Sequence, residues 1–205
     1  MSPALSDAEV DALGGDGWFV RDGFLGADRA LAARDAARSL AAAEALRAPG
    51  LGRGADHRLD PTVRGDQTAW LRDHLADPRL AVVSARFEAL RVELNAATWL
   101  GLTHFTVQLA CYPGGGAGYA RHLDALRGSI NRVVTAIVYL NPEWLPEHGG
   151  LLRLFVTGTP EVAPLLDRLV VFRSDAVPHE VCPTFAERWA LTAWFRKRDP
   201  ERPAI

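Results

Sequence analysis

Residues 101–140 read GLTHFTVQLACYPGGGAGYARHLDALRGSINRVVTAIVYL, and this stretch decides the fold class. Two β-branched and aromatic runs, Thr103 to Tyr112 and Arg132 to Leu140, flank a third from Tyr119 to Asp124. Gly- and Pro-containing breaks or turn residues bound them, the signature of short strands. Three more runs follow: Leu151 to Phe155, Arg168 to Phe172 and Arg188 to Phe195. No helical periodicity separates any of the six, which excludes βαβ units and a parallel sheet. The expected class is α+β, mainly antiparallel β, with a sandwich or jelly-roll core.

Working back from Gly101, the chain becomes helical. Leu80, Val83, Phe87, Leu90 and Leu94 recur at helical spacing behind Asp77-Pro78, an N-cap followed by a first-turn proline. Ala27 to Arg47 is dense in Ala, Leu and Arg and predicts another long helix, stopped by Pro49 and Gly50. Trp18 to Leu25 reads as a strand and turn, and Ser6-Asp7-Ala8-Glu9 as a capping box. Between the long helices, Pro49 to Asp66 is rich in Gly and Pro and predicts a mobile loop. The expected organisation is one domain over 1–205. Residues 1–100 supply helical support and the loop, and 101–196 the core.

Composition narrows the function. At 205 residues and 48% hydrophobic, the chain can build a sizeable core and is not disordered. Its 23 basic and 25 acidic side chains leave a net charge of −2, which gives no field for nucleic acid or an anionic membrane. The longest apolar run, Val133 to Leu140, is too short to span a bilayer. Asp7, Glu9 and Asp11 stand where a signal peptide needs basic and then apolar residues. Cys111 and Cys182 form no CxxC pair, so neither a disulfide framework nor a zinc knuckle is expected. A cytoplasmic monomer is the expectation.

The chemistry concentrates in His122-x-Asp124, His179 and Arg188. Positions i and i+2 of a strand share a face, so His122 and Asp124 can offer an imidazole and a carboxylate to one metal. A histidine from a distant strand region, His179, completes a two-histidine, one-carboxylate set that suits non-haem Fe(II). The tripeptide alone is weak, since about 0.4 copies are expected by chance in such a composition. Order and context carry the reading. Period 2 places Arg188, Ala190, Thr192 and Trp194 on one face of the last strand and Trp189, Leu191, Ala193 and Phe195 on the other. Both faces are largely apolar, so the strand is covered on both sides and Arg188 needs an anion. A ligand carboxylate gripped by the guanidinium fork would satisfy it. Val133, Thr135, Ile137 and Tyr139 share a second inward face, and a tyrosine hydroxyl among apolar walls fits a small-acid pocket.

These residues are similar to the 2-oxoglutarate- and Fe(II)-dependent oxygenases, most closely to the hypoxia-inducible-factor type of prolyl hydroxylases. The resemblance runs from about Arg64 to Trp194. It includes Arg64-Gly65-Asp66 with Trp70, Cys111-Tyr112-Pro113-Gly114, and Gly118-Tyr119-Ala120-Arg121-His122-Leu123-Asp124. It continues through Tyr139-Leu140-Asn141 with Trp144, Gly149-Gly150-Leu151-Leu152, Ser174-Asp175, Pro178-His179-Glu180-Val181, Arg188 and Thr192-Ala193-Trp194. The resemblance implies a double-stranded β-helix core with iron on His122, Asp124 and His179. It implies that Arg188 and Tyr139 hold the distal carboxylate of 2-oxoglutarate, in a pocket lined by Tyr112, Ile137, Leu152, Val181, Thr192 and Trp194. Tyr119, Arg132 and Trp194, with Arg64 and Asp66, are implied to face the substrate, with Asp66 paired to Arg132. The cofactor set implied is Fe(II), 2-oxoglutarate and O2, with ascorbate as a candidate reductant. The partner implied is a protein with an exposed proline. Cytoplasmic bacterial relatives act on translation elongation factor Tu, which makes that protein a candidate.

Two departures stand out. Gln108 occupies a position that is apolar in the animal enzymes, and the chain stops at Ile205, short of their C-terminal helix. An oxygenase of a free amino acid or other small molecule is the first alternative. A non-catalytic metal-binding jelly-roll module is the second.

Overall fold

The computed structural model of the chain describes residues 5–50, 60, 62–125 and 131–198. Most of the expected loop from Pro49 to Asp66 thus lies outside the described residues, and only its two ends are seen.

Helix formation follows the sequence closely at the N-termini. α1 (Asp7–Gly15) opens on Ser6, whose side chain accepts from the Glu9 amide while Glu9 reaches back to the Ser6 backbone. α3 (Pro78–Thr98) opens on Asp77, which accepts from the Arg79 amide, with proline in the first turn. α2 (Ala27–Ala42) ends at Ala42 rather than at the expected Arg47. Arg47 instead exchanges two backbone hydrogen bonds with Thr68, at 2.9 and 2.8 Å. Pairing with the sheet edge outweighs the helix propensity of the intervening residues, a tertiary override of a weak local preference.

Among the described residues, ten strands make two antiparallel sheets. The larger has the order β1 (Trp18–Asp22), β8 (Arg168–Arg173), β5 (Arg132–Tyr139), β10 (Arg188–Arg196), β3 (His104–Tyr112), β2 (Gln67–Trp70). The smaller has the order β4 (Ala117–His122), β9 (His179–Thr184), β6 (Leu152–Leu154), β7 (Glu161–Val162). The two sheets build the expected jelly-roll core. Three strands were not anticipated: β2, β7 and β9. His179 follows β8 and is the first residue of β9.

The period-2 reading of β10 holds. Trp189, Leu191, Ala193 and Phe195 point into a core shared with Leu80, Val83, Phe87, Leu90 and Leu94 of α3. Phe87 meets Phe24, Phe105 and Phe195 at ring-centre distances of 5.4, 6.4 and 6.4 Å. On the opposite face, Ala190 joins Tyr112, Ile137, Tyr139, Leu152 and Val181 between the sheets. The layers are therefore helices, large sheet and small sheet. The helices cover one face of the large sheet, so its other face is left to the small sheet and to the site. Among the described residues no helix is long and apolar enough to cross a membrane.

Candidate metal centre and its cavity

The antiparallel register sets His122 of β4 directly opposite His179 of β9. Their ring centres are 4.3 Å apart. Asp124 closes the triangle, with Oδ1 3.9 Å from His122 Nε2 and Oδ2 3.8 Å from His179 Nε2. One ligand atom from each of the three lies within 4.8 Å of the others, a spacing one metal ion can bridge. The i, i+2 argument for His122 and Asp124 needs correcting in one respect. β4 ends at His122, and Asp124 sits in the bend beyond it. What aims its carboxylate is not the strand pleat but the large sheet.

That aim comes from hydrogen bonds. Thr135 of β5 donates its hydroxyl to Asp124 Oδ2 at 2.7 Å, and its oxygen lies 2.8 Å from Ser174 Oγ. Arg132 Nη1 donates to the Asp124 carbonyl at 3.2 Å. Each imidazole is fixed through its other nitrogen. His122 Nδ1 is 2.8 Å from the Ala120 carbonyl and His179 Nδ1 is 3.1 Å from the Val177 carbonyl. A carbonyl can only accept, so both Nδ1 atoms carry a proton and both Nε2 atoms are turned to the centre, the usual outer-layer arrangement of a metal site. Burial, and the His179 ring beside it, push His122 down to about 4, so it is neutral at pH 7. Burial raises the Asp124 carboxyl, but the two imidazoles and the Thr135 hydroxyl outweigh it and hold the group below its ordinary value. A neutral imidazole at His122 and a carboxylate at Asp124 suit a divalent metal.

A cavity of about 570 Å³ opens from this centre. At its closed end lies Arg188, 2% exposed, with Nε donating to the Gly150 carbonyl at 2.9 Å. Its guanidinium lies 4.9 Å from the ring centre of Tyr139 and 5.2 Å from that of Tyr112. No acidic side chain among the described residues pairs with it. Among the described residues the buried Tyr139 hydroxyl has no hydrogen-bond partner either. Gly150 has a positive φ of 63°, and a Cβ there would come within 3.0 Å of both Arg188 and Thr184, so glycine lets the arginine lie flat against the backbone. A buried cation with no counter-ion beside an orphaned hydroxyl is a built receptor for a carboxylate. The donor set and this receptor fit Fe(II) and a 2-oxo diacid.

Tyr112, Ile137, Leu152, Val181, Thr192 and Trp194 all line the cavity. Tyr139 stands behind that lining, fully buried. At the open end Tyr119 stacks on His122, with ring centres 3.8 Å apart, and the Arg64 guanidinium lies 4.8 Å from the Tyr119 ring centre. Arg132 lies over the Trp194 ring at 4.5 Å. The implied Asp66–Arg132 pair is corrected: both Asp66 oxygens accept from Arg64, at 2.6 and 2.9 Å. Asp66 and Arg64 flank Gly65 at the end of the loop, and that local fork satisfies the buried carboxylate without reaching across the mouth. Sequence reasoning assigned no role to Thr135, Ser174 or Gly150, and none to Trp70, whose ring centre lies 6.1 Å from that of Trp194 on the cavity wall. Thr135 shares a strand face with Ile137 and Tyr139, which was the available signal.

A family model described as the 2OG-Fe(II) oxygenase superfamily matches residues 107–196. Human prolyl hydroxylase EGLN3 is 38% identical over 143 residues, which are 65% of this chain and 59% of that protein. The chain thus matches less than two thirds of that relative's length. Among solved structures, a prolyl-4-hydroxylase from Pseudomonas putida superposes with a TM-score of 0.81 at 38% identity, covering 93% of this chain and 98% of that one. A Trichoplax adhaerens prolyl hydroxylase, solved with a hypoxia-inducible-factor oxygen degradation domain peptide fragment, gives 0.82 at 31% identity, covering 92% and 87%.

Proposed function

The chain belongs to the 2-oxoglutarate- and Fe(II)-dependent oxygenases, within the hypoxia-inducible-factor type of prolyl hydroxylases, and from that premise we propose that it hydroxylates a prolyl residue of a protein. The observation that carries the reading is one cavity holding both a two-histidine, one-carboxylate set and a buried arginine that no described acidic side chain pairs with.

In this reading His122, Asp124 and His179 hold Fe(II). Together with 2-oxoglutarate and O2 the metal supplies the oxidising chemistry, in which decarboxylation to succinate and CO2 accompanies insertion of one oxygen atom into a C–H bond. The chain's own residues supply geometry. Arg188 takes the distal carboxylate of 2-oxoglutarate through the parallel donors of its fork, with the Tyr139 hydroxyl as a further donor. Ile137, Leu152 and Val181 enclose the aliphatic segment and keep water away. Thr135 and Ser174 keep the Asp124 carboxylate turned toward the metal. Tyr119, Trp194 and Arg132 shape the open end, where the prolyl ring enters.

The peptide fragment bound by the Trichoplax relative supports a protein substrate over a free amino acid. Elongation factor Tu is the candidate carried from bacterial relatives. The test is mass spectrometry of a bacterial lysate incubated with the protein, Fe(II) and 2-oxoglutarate. A proline within a protein should gain the mass of one oxygen atom in an O2-dependent manner. Modification confined to free amino acids would overturn the reading.

A further inference from the structure

Gln108 is one of the polar residues that line the cavity. It lies on β3, on the same face as Ala110 and Tyr112, and is 7% exposed. Tyr112 is the register partner of Arg188, at the closed end of the cavity, while Gln108 is the register partner of Thr192 on one side and Trp70 on the other. Four residues of strand separate the two, about 13 Å. Gln108 therefore stands at the metal end, among Trp70, Trp194 and Arg64.

Its orientation is settled by its neighbour. Arg64 Nη2 donates to Gln108 Oε1 at 3.0 Å. A guanidinium has donors only, so the carbonyl must face Arg64 and the amide group cannot be flipped. Arg64 is itself held by the bidentate fork to Asp66, whose side chain is fully buried. The Nε2 group has no acceptor among the described residues, and it is not among the buried atoms cut off from the cavity. Two N–H donors are thus fixed at the metal end with no acceptor among the described residues.

We infer that Gln108 is a substrate-binding residue whose amide donates to a carbonyl oxygen of the bound prolyl substrate. This rests on the prolyl reading above. A peptidyl proline is a tertiary amide with no backbone N–H, so its polar atoms are acceptors. Gln108 offers such an acceptor a fixed donor at the metal end. When substrate displaces water, a peptide carbonyl satisfies the Gln108 amide.

Gln108→Glu keeps the size and the acceptor for Arg64 and replaces the donor by an oxygen. Gln108→Met removes the donor without adding charge. The probe is a capped peptide spanning the proline oxidised in the lysate experiment. In both variants kcat/KM for the peptide should fall by about tenfold or more, while 2-oxoglutarate affinity by tryptophan fluorescence should stay within about twofold. A merely structural glutamine would lower peptide turnover and 2-oxoglutarate affinity together, and that result overturns the inference. So does a loss of less than about threefold for the peptide in both variants while the wild type turns it over. If the wild type oxidises no peptidyl proline, the prolyl reading fails, and this inference with it.

Discussion

Thr135→Val removes one hydroxyl and little else. Valine keeps the β-branched shape, and the residue is fully buried, as is Ser174 behind it. The loss is a 2.7 Å hydrogen bond to the Asp124 carboxylate and the 2.8 Å contact to Ser174. A hydrogen bond to a charged group contributes about 1.5–3 kcal/mol. At about 1.4 kcal/mol per tenfold, metal affinity should fall roughly 10- to 150-fold, close to the range usual for a lost outer-layer partner. Stability should fall as well, because Ser174 loses its partner inside the protein. An unsatisfied buried hydroxyl costs about 1–3 kcal/mol, which for a chain of this size lowers Tm by about 2–12 °C. The assay is calorimetric titration with Mn(II) as a redox-silent substitute, alongside thermal melting. Thr135→Ser, which keeps the hydroxyl, should recover most of the metal affinity. If Thr135→Val binds metal as the wild type does, the carboxylate is aimed by something other than the large sheet, and the account of the site is wrong.

Three other outcomes are expected. Arg188→Lys keeps the charge but loses the planar fork, so the apparent KM for 2-oxoglutarate in steady-state assays should rise at least about tenfold with Mn(II) affinity unchanged. Gly150→Ala places a Cβ within 3.0 Å of Arg188 at a φ of 63°, so melting temperature and 2-oxoglutarate affinity should drop together. Glu9, held down from 4.5 to about 2 chiefly by its hydrogen bond to Arg21, contributes stability that is fully present above pH 4.5 and lost as pH falls toward 2. The Tm difference between wild type and Glu9→Gln should therefore be positive near pH 6 and vanish near pH 2.

How much of this was legible in the sequence depended on what kind of signal each feature leaves. β10 was readable because both faces of Arg188–Arg196 alternate cleanly and are both buried. α3 was readable because its buried residues recur at helical spacing behind a proline N-terminus. β9 was not, because Glu180 and Pro183 break the apolar pattern of His179–Thr184 and proline argues against a paired strand. Its pairing with β4 is a long-range event, and only that pairing makes His122 and His179 neighbours. β2 is four residues long and leaves hardly any periodicity, yet it takes the Arg47 backbone out of the preceding helical stretch. The identity of the metal residues could be read from types and order. Their aim could not, since Asp124 depends on Thr135 across a sheet boundary. The Asp66 pairing was misassigned because a partner two residues away and one across the mouth are equally compatible with the sequence.

The central claim is that this cavity couples 2-oxoglutarate turnover to oxidation of a prolyl residue, through metal held by His122, Asp124 and His179. The most direct measurement is the ratio of succinate released to hydroxyprolyl residues formed, with the wild type and with Asp124→Ala, using the peptide found in the lysate experiment. The account predicts one succinate per hydroxyproline for the wild type, and neither product for Asp124→Ala, whose melting profile should remain cooperative. Succinate formed without hydroxyproline in the presence of that peptide, or an Asp124→Ala variant that still oxidises it, would contradict the account.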